Sequence, residues 1–173
     1  EVQPLRESKI VLGVDVARFG ADYSTVYLAE QGIVKGSQSK QGTQVRLIDS
    51  WAQADADESV NRIHQLALSN GVHEVRIDGE GMGGPMVDRL TKLADTTYRV
   101  VSMRGNAASP DRFRWLNARA WWYAEAEARM RNGEMDIDPQ DEKLQNELLA
   151  HRYHFKNQFS SLQIESKDEM DRR

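Results

Sequence analysis

A chain of 173 residues is long enough for one compact domain with a real core and short for two. Hydrophobic residues make up 39% and charged residues 29%, which excludes a disordered chain, and no apolar run approaches the ~20 residues of a membrane helix. The absence of cysteine excludes disulfides, thiolate zinc sites and cysteine nucleophiles, and the net charge of −4 offers no general basic surplus for phosphate.

In chain order, Ile10 to Val16 is an apolar, β-branched run and predicts a buried strand. Ser24 to Ala29 and Val45 to Trp51 read as the second and third strands, joined closely enough for an antiparallel meander. The period then changes: Val60, Ile63, His64, Ala67 and Leu68 fall at helical spacing between Asp57 and Ser69, before an Asn70-Gly71 stop. Val72 to Asp78 is a fourth strand, Gly84 to Ala94 a second helix and Tyr98 to Met103 a fifth strand. A long helix is expected from about Pro110 to Asn132, capped by Ser109 and ended by Gly133. Beyond it, Asp141 to Ala150 reads as helix, and His151 to Lys156 with Leu162 to Glu165 as the arms of a hairpin. The order β-β-β-α-β-α-β-α is that of an RNase H-like α/β domain. It predicts a mixed central five-stranded sheet flanked by helices, with a C-terminal hairpin.

Two carboxylates stand out. Asp15 sits near the end of the first strand and Asp78 at the end of the fourth, and in this fold those strands are adjacent and parallel, so the two acids share one sheet edge. Such a hard-oxygen pair suits magnesium or manganese. Two ions about 4 Å apart can activate water and steady a leaving oxygen, which is phosphodiester hydrolysis without a protein nucleophile. The bland alternative is that both are strand-ending turn formers. Asp22, in a Gly-Ala-Asp turn, and Glu80, close behind Asp78, are candidates for supporting the site. A site built from acids would also explain the overall charge, because bound cations reverse the local sign.

Three other patterns carry less. Gly79-Glu80-Gly81-Met82-Gly83-Gly84 satisfies the dinucleotide-binding spacing, but Asp78 and Glu80 would face a pyrophosphate with negative charge. Ser109-Pro110-Asp111 reads as a helix start. His151 and His154 would fall on opposite faces of a strand. The P-loop pattern does not occur in the sequence.

Gly13-Val14-Asp15-Val16-Ala17-Arg18-Phe19-Gly20-Ala21-Asp22-Tyr23-Ser24 resembles the first nuclease motif of bacteriophage large terminase subunits, and Ile77-Asp78-Gly79-Glu80-Gly81-Met82-Gly83 resembles the second. Asn117-Ala118-Arg119-Ala120 and the stretch from Ile164 to Arg173 are similar to further segments of that family, in the same order. The resemblance implies an endonuclease that cuts concatemeric double-stranded DNA during genome packaging in the bacterial host cytoplasm. Its complete site would use two Mg2+ or Mn2+ ions, with Asp15 and Asp78 as ligands and Lys167 near the phosphate. It also implies a preceding ATPase domain, for which residues 1–8 would be linker, and a small terminase subunit and portal protein as partners. The third acid is expected beyond Arg173. Arg18, Arg104, Arg112 and Arg114 are candidate phosphate contacts. The alternatives are another RNase H-like nuclease such as a Holliday-junction resolvase, an actin-like ATPase fragment, and a docking module that kept the fold without the chemistry.

Overall fold

The computed structural model describes residues 5–17, 23–80, 83–155, 161–165, 167–170 and 172. They gather into two compact units, one formed by residues 1–103 with 132–138, the other by 104–131 with 139–173.

The first unit is a mixed sheet. β1 (Leu5–Asp15), β2 (Ser24–Val34) and β3 (Gln41–Trp51) form the expected antiparallel meander, with Val14 opposite Val26 and Ser24 opposite Trp51. β4 (Glu74–Asp78) adds parallel to β1, and β5 (Arg99–Met103) parallel to β4. Among the described residues the sheet has six strands rather than five. β6 (Met135–Ile137) pairs parallel with β3 at the far edge, giving the order β5-β4-β1-β2-β3-β6. Three residues are too few for alternation to reveal, and their partner lies far away in sequence. β1 also starts earlier than its apolar run, at Leu5, inside the segment expected to be linker.

Helices α1 (Ala56–Ser69) and α2 (Gly83–Ala94) contribute to the core. Val60, Ile63 and Ala67 from α1 join Met86, Leu90 and Ala94 from α2 against Leu12, Val14, Val26, Leu28, Val75 and Ile77 of the sheet. Asp55 caps α1, its carboxylate accepting the Glu58 backbone N–H at 2.7 Å. Trp51 closes the end of this core, its indole N–H donating to the buried Ser59 hydroxyl at 3.1 Å. No helix among the described residues is long and apolar enough to cross a membrane.

The second unit holds α3 (Ala118–Arg131), α4 (Glu142–Ala150), the antiparallel pair β7 (Tyr153–Phe155) and β8 (Leu162–Ile164), and α5 (Lys167–Met170). The hairpin falls where alternation predicts it, and α4 starts after its cap Asp141. The long helix is shorter than expected. Ser109 does not cap it; its hydroxyl donates to the Trp115 carbonyl at 2.6 Å inside an irregular segment. Asp111 accepts from Phe113 N–H at 3.0 Å, a local turn, and Leu116 N–H bonds the Leu162 carbonyl at 2.9 Å. The helix begins at Ala118, where the Asn117 side chain accepts the Ala120 N–H at 2.9 Å. His151 follows α4 and its ring nitrogen sits 2.7 Å from the Tyr123 hydroxyl, while His154 lies in β7, so the pair does not share one strand.

Candidate metal centre

β1 and β4 run parallel with Val11 opposite Glu74, Leu12 opposite Val75, Gly13 opposite Arg76 and Val14 opposite Ile77. Each strand ends one residue later, on Asp15 and on Asp78. Continuing the register sets these two residues side by side on neighbouring strands, which lie about 4.8 Å apart. Parallel partners present their side chains to the same face, so the two acids share a face as well as an edge. Both are exposed, while the pair before them, Val14 and Ile77, is buried in the core.

Local chemistry holds both strand ends. After Asp15, the Ala17 N–H donates to the Ser24 hydroxyl at 3.1 Å, tying the outgoing chain back to the start of β2. After Asp78, its own carboxylate accepts the Glu80 N–H at 2.9 Å, and the Gly79 N–H donates to the Met103 carbonyl at 2.8 Å. A Cβ on Gly79 would lie 1.9 Å from the Ser102 hydroxyl oxygen, and one on Gly83 1.9 Å from the Asp78 carbonyl oxygen. These glycines therefore allow close packing of the β4–α2 turn, and no phosphate cradle is needed to explain them.

Glu80 is exposed beside Asp78, and both line a small cavity of about 50 Å³ together with Asp55, Ser59, Gly83 and Met86. Asp55 and Ser59 are engaged by the α1 cap and by Trp51, and Asp15 is not among the lining residues. The continued β1–β4 register, rather than this cavity, sets the two aspartates side by side. Among the described residues, no group of three or more histidine, aspartate or glutamate side chains could hold a metal ion. The arrangement is thus a pair of carboxylates, which suits a hard cation that takes water for its remaining ligands.

The other expected residues are scattered. Arg18 and Asp22 lie outside the described residues, and Lys167 opens α5. Arg104, Arg112 and Arg114 are exposed in the irregular start of the second unit. Arg112 lines an open hollow of about 540 Å³ with Asn106, Phe113 and Leu116, and the Arg114 guanidinium lies 4.5 Å from the Trp115 ring centre.

Glu74, at the opposite end of β4, belongs to none of the sequence motifs. Its side chain is 2% exposed yet accepts from Lys9 Nζ at 2.9 Å, Arg76 Nε at 2.6 Å and Arg99 Nη2 at 2.7 Å. Burial pushes its carboxyl up, but the hydrogen bonds from these three cations outweigh that and hold it at about 2. The available signal was a glutamate two residues before an arginine on a strand, so that both face the same way.

No protein-family model matches the sequence, and no curated protein is similar enough to match it. Solved structures are similar over nearly all of it. The nuclease domain of the large terminase subunit gp2 of bacterial virus Sf6 superposes with a TM-score of 0.76 at 17% identity, covering 100% of this chain and 82% of that one. A mutant of the same domain, solved with manganese and β-thujaplicinol, gives 0.75 at 18% identity over 94% and 80%. The large terminase nuclease from thermophilic phage G20c, solved with bound magnesium, gives 0.58 at 14% identity over 98% and 79%. The chain has the fold of a terminase nuclease domain. That RNase H-like fold, with its meander and parallel extension, is what sets the ends of β1 and β4 next to one another.

Proposed function

We propose that this domain is a divalent-metal-dependent endonuclease of a phage terminase large subunit, hydrolysing double-stranded DNA to cut concatemers during packaging in the bacterial host. The single observation that carries the reading is the parallel pairing of β1 and β4 through Val14 and Ile77, one residue before the strands end on Asp15 and Asp78. The nuclease fold of the solved relatives supports it, as do the metals bound in two of them. Asp15 and Asp78 would hold Mg2+ or Mn2+, and Glu80 is close enough in sequence to assist through water. Bound there, such ions supply a polarised water and charge neutralisation at the leaving oxygen, two ions sharing these tasks in the complete site. The protein's own part is to fix two negative oxygen donors on stiff strand ends. They face solvent on one side, so a duplex can reach them, and their backbones are locked by the Ala17 and Gly79 hydrogen bonds.

Supercoiled-plasmid nicking in manganese, paired with thermal melts, tests the reading. Asp15→Asn and Asp78→Asn should each lower nicking by about 100-fold or more, since an amide keeps the size but loses the charge. Neither should lower the melting temperature, because each relieves the repulsion between two adjacent carboxylates. Nicking by both variants at the wild-type rate would remove the pair from the chemistry. A second reading, a DNA-docking module with the fold but little chemistry, draws on the absence of a third ligand among the described residues. Metal and DNA binding by the wild type without nicking would favour it.

A further inference from the structure

The two faces of the first unit's sheet differ. Leu12, Val14, Val75 and Ile77 point into the core with α1 and α2. The alternate residues share the other face: Lys9, Val11, Gly13 and Asp15 on β1, Glu74, Arg76 and Asp78 on β4, and Arg99 on β5. Gly13 pairs with Arg76, and both stand two residues before an aspartate of the candidate metal centre. Two residues of strand span about 7 Å, comparable to the separation of successive phosphates along a DNA strand.

Gly13 itself calls for a reason. Glycine inside a strand costs about 0.5–1 kcal/mol relative to alanine, and it is usually kept for a turn, a bulge or a close approach. Here the strand is regular at Gly13, and a Cβ built on it meets nothing within 4 Å among the described residues. No described residue fills that space, which leaves the partly exposed backbone of Gly13 room for a close approach from outside. Beside it, Lys9, Arg76 and Arg99 are 46%, 42% and 70% exposed and share the single carboxylate of Glu74. Two positive charges remain in surplus in a chain whose net charge is −4. The Arg76 guanidinium has five donors, and its ion pair with Glu74 uses Nε.

We propose that this strip is the floor on which one DNA strand lies, Gly13 giving the backbone room and Arg76 holding a phosphate next to the one at Asp15 and Asp78. Lys9 and Arg99 continue the positive rail, and Glu74 fixes the three side chains in place. The proposal rests on the nuclease reading and adds to it a path for the substrate. Contacts of this kind touch phosphates and position a duplex without reading its sequence.

The test is fluorescence anisotropy of a labelled duplex with the full chain in calcium, across a salt series, with melts alongside. Gly13→Val fills the open space with a strand-favouring side chain. It should melt at or above the wild-type temperature and bind DNA about 10-fold more weakly or worse. Arg76→Gln should weaken binding about 5–10-fold and lower the slope of log affinity against log salt by about 1. Lys92→Gln, the same charge change at an exposed position of α2, should leave binding unchanged. If Gly13→Val fails to fold, Arg76→Gln against Lys92→Gln decides the matter. Wild-type affinity in both Gly13→Val and Arg76→Gln would overturn the floor while leaving the nuclease reading intact. A wild-type chain that binds no duplex at low salt would sink both.

Discussion

Glu74 gives the sharpest pH dependence available at the scale of single residues. Its folded value of about 2 lies below the ordinary 4.5, so the unfolded chain binds a proton there more readily than the folded one. The stabilisation is fully present above about pH 4.5 and is lost as pH falls toward 2, amounting to at most about 3 kcal/mol. The half-exposed partners reduce this through solvent screening. Urea denaturation at a series of acidic pH values should therefore give a shallower stability loss for Glu74→Gln than for the wild type. Equal slopes would mean the three cations do not hold this carboxylate down. Only the Glu74–Arg76 spacing is legible in the sequence. Glu74 becomes informative only when β1 and β5 bring Lys9 and Arg99 to it from 65 and 25 residues away. Asp15 and Asp78, by contrast, announce themselves locally, as acids at the ends of apolar runs.

For the elements, the meander, α1, α2 and the two parallel strands follow from alternation and 3.6-residue spacing, because each buries one face in a shared core. The start of α3 misled for a local reason. Ser109-Pro110-Asp111 has cap chemistry, but those groups bond Trp115, Phe113 and Arg114 instead, and the helix waits for Asn117. β6 was missed because only its long-range pairing with β3 makes it a strand. The cap of α1 also offers a way to separate the small cavity from the strand edge. Asp55 lines the cavity and caps the helix, so Asp55→Ala should cost about 1 kcal/mol in chemical denaturation. Manganese affinity by calorimetry should nonetheless stay within about 2-fold of wild type, since Asp55 is absent from the Asp15–Asp78 pair. Loss of manganese binding with loss of the cap would relocate the site to the cavity.

On the scale of the whole molecule, the fold was readable as an ordered set of elements, and the solved terminase nuclease domains share it at 14–18% identity. That combination is physically reasonable. A core of alternating apolar positions tolerates many substitutions, while the topology fixes which strand ends meet. In a chain of net charge −4, Lys9, Arg76 and Arg99 gather three positive charges around the single carboxylate of Glu74. In the proposed site Asp15 and Asp78 hold one divalent ion between them. Anomalous diffraction from crystals soaked in manganese tests it most directly. A single strong peak is expected within about 2.0–2.6 Å of a carboxylate oxygen of both residues, vanishing in Asp15→Asn. A peak bound elsewhere, or one that persists unchanged in that variant, would contradict it.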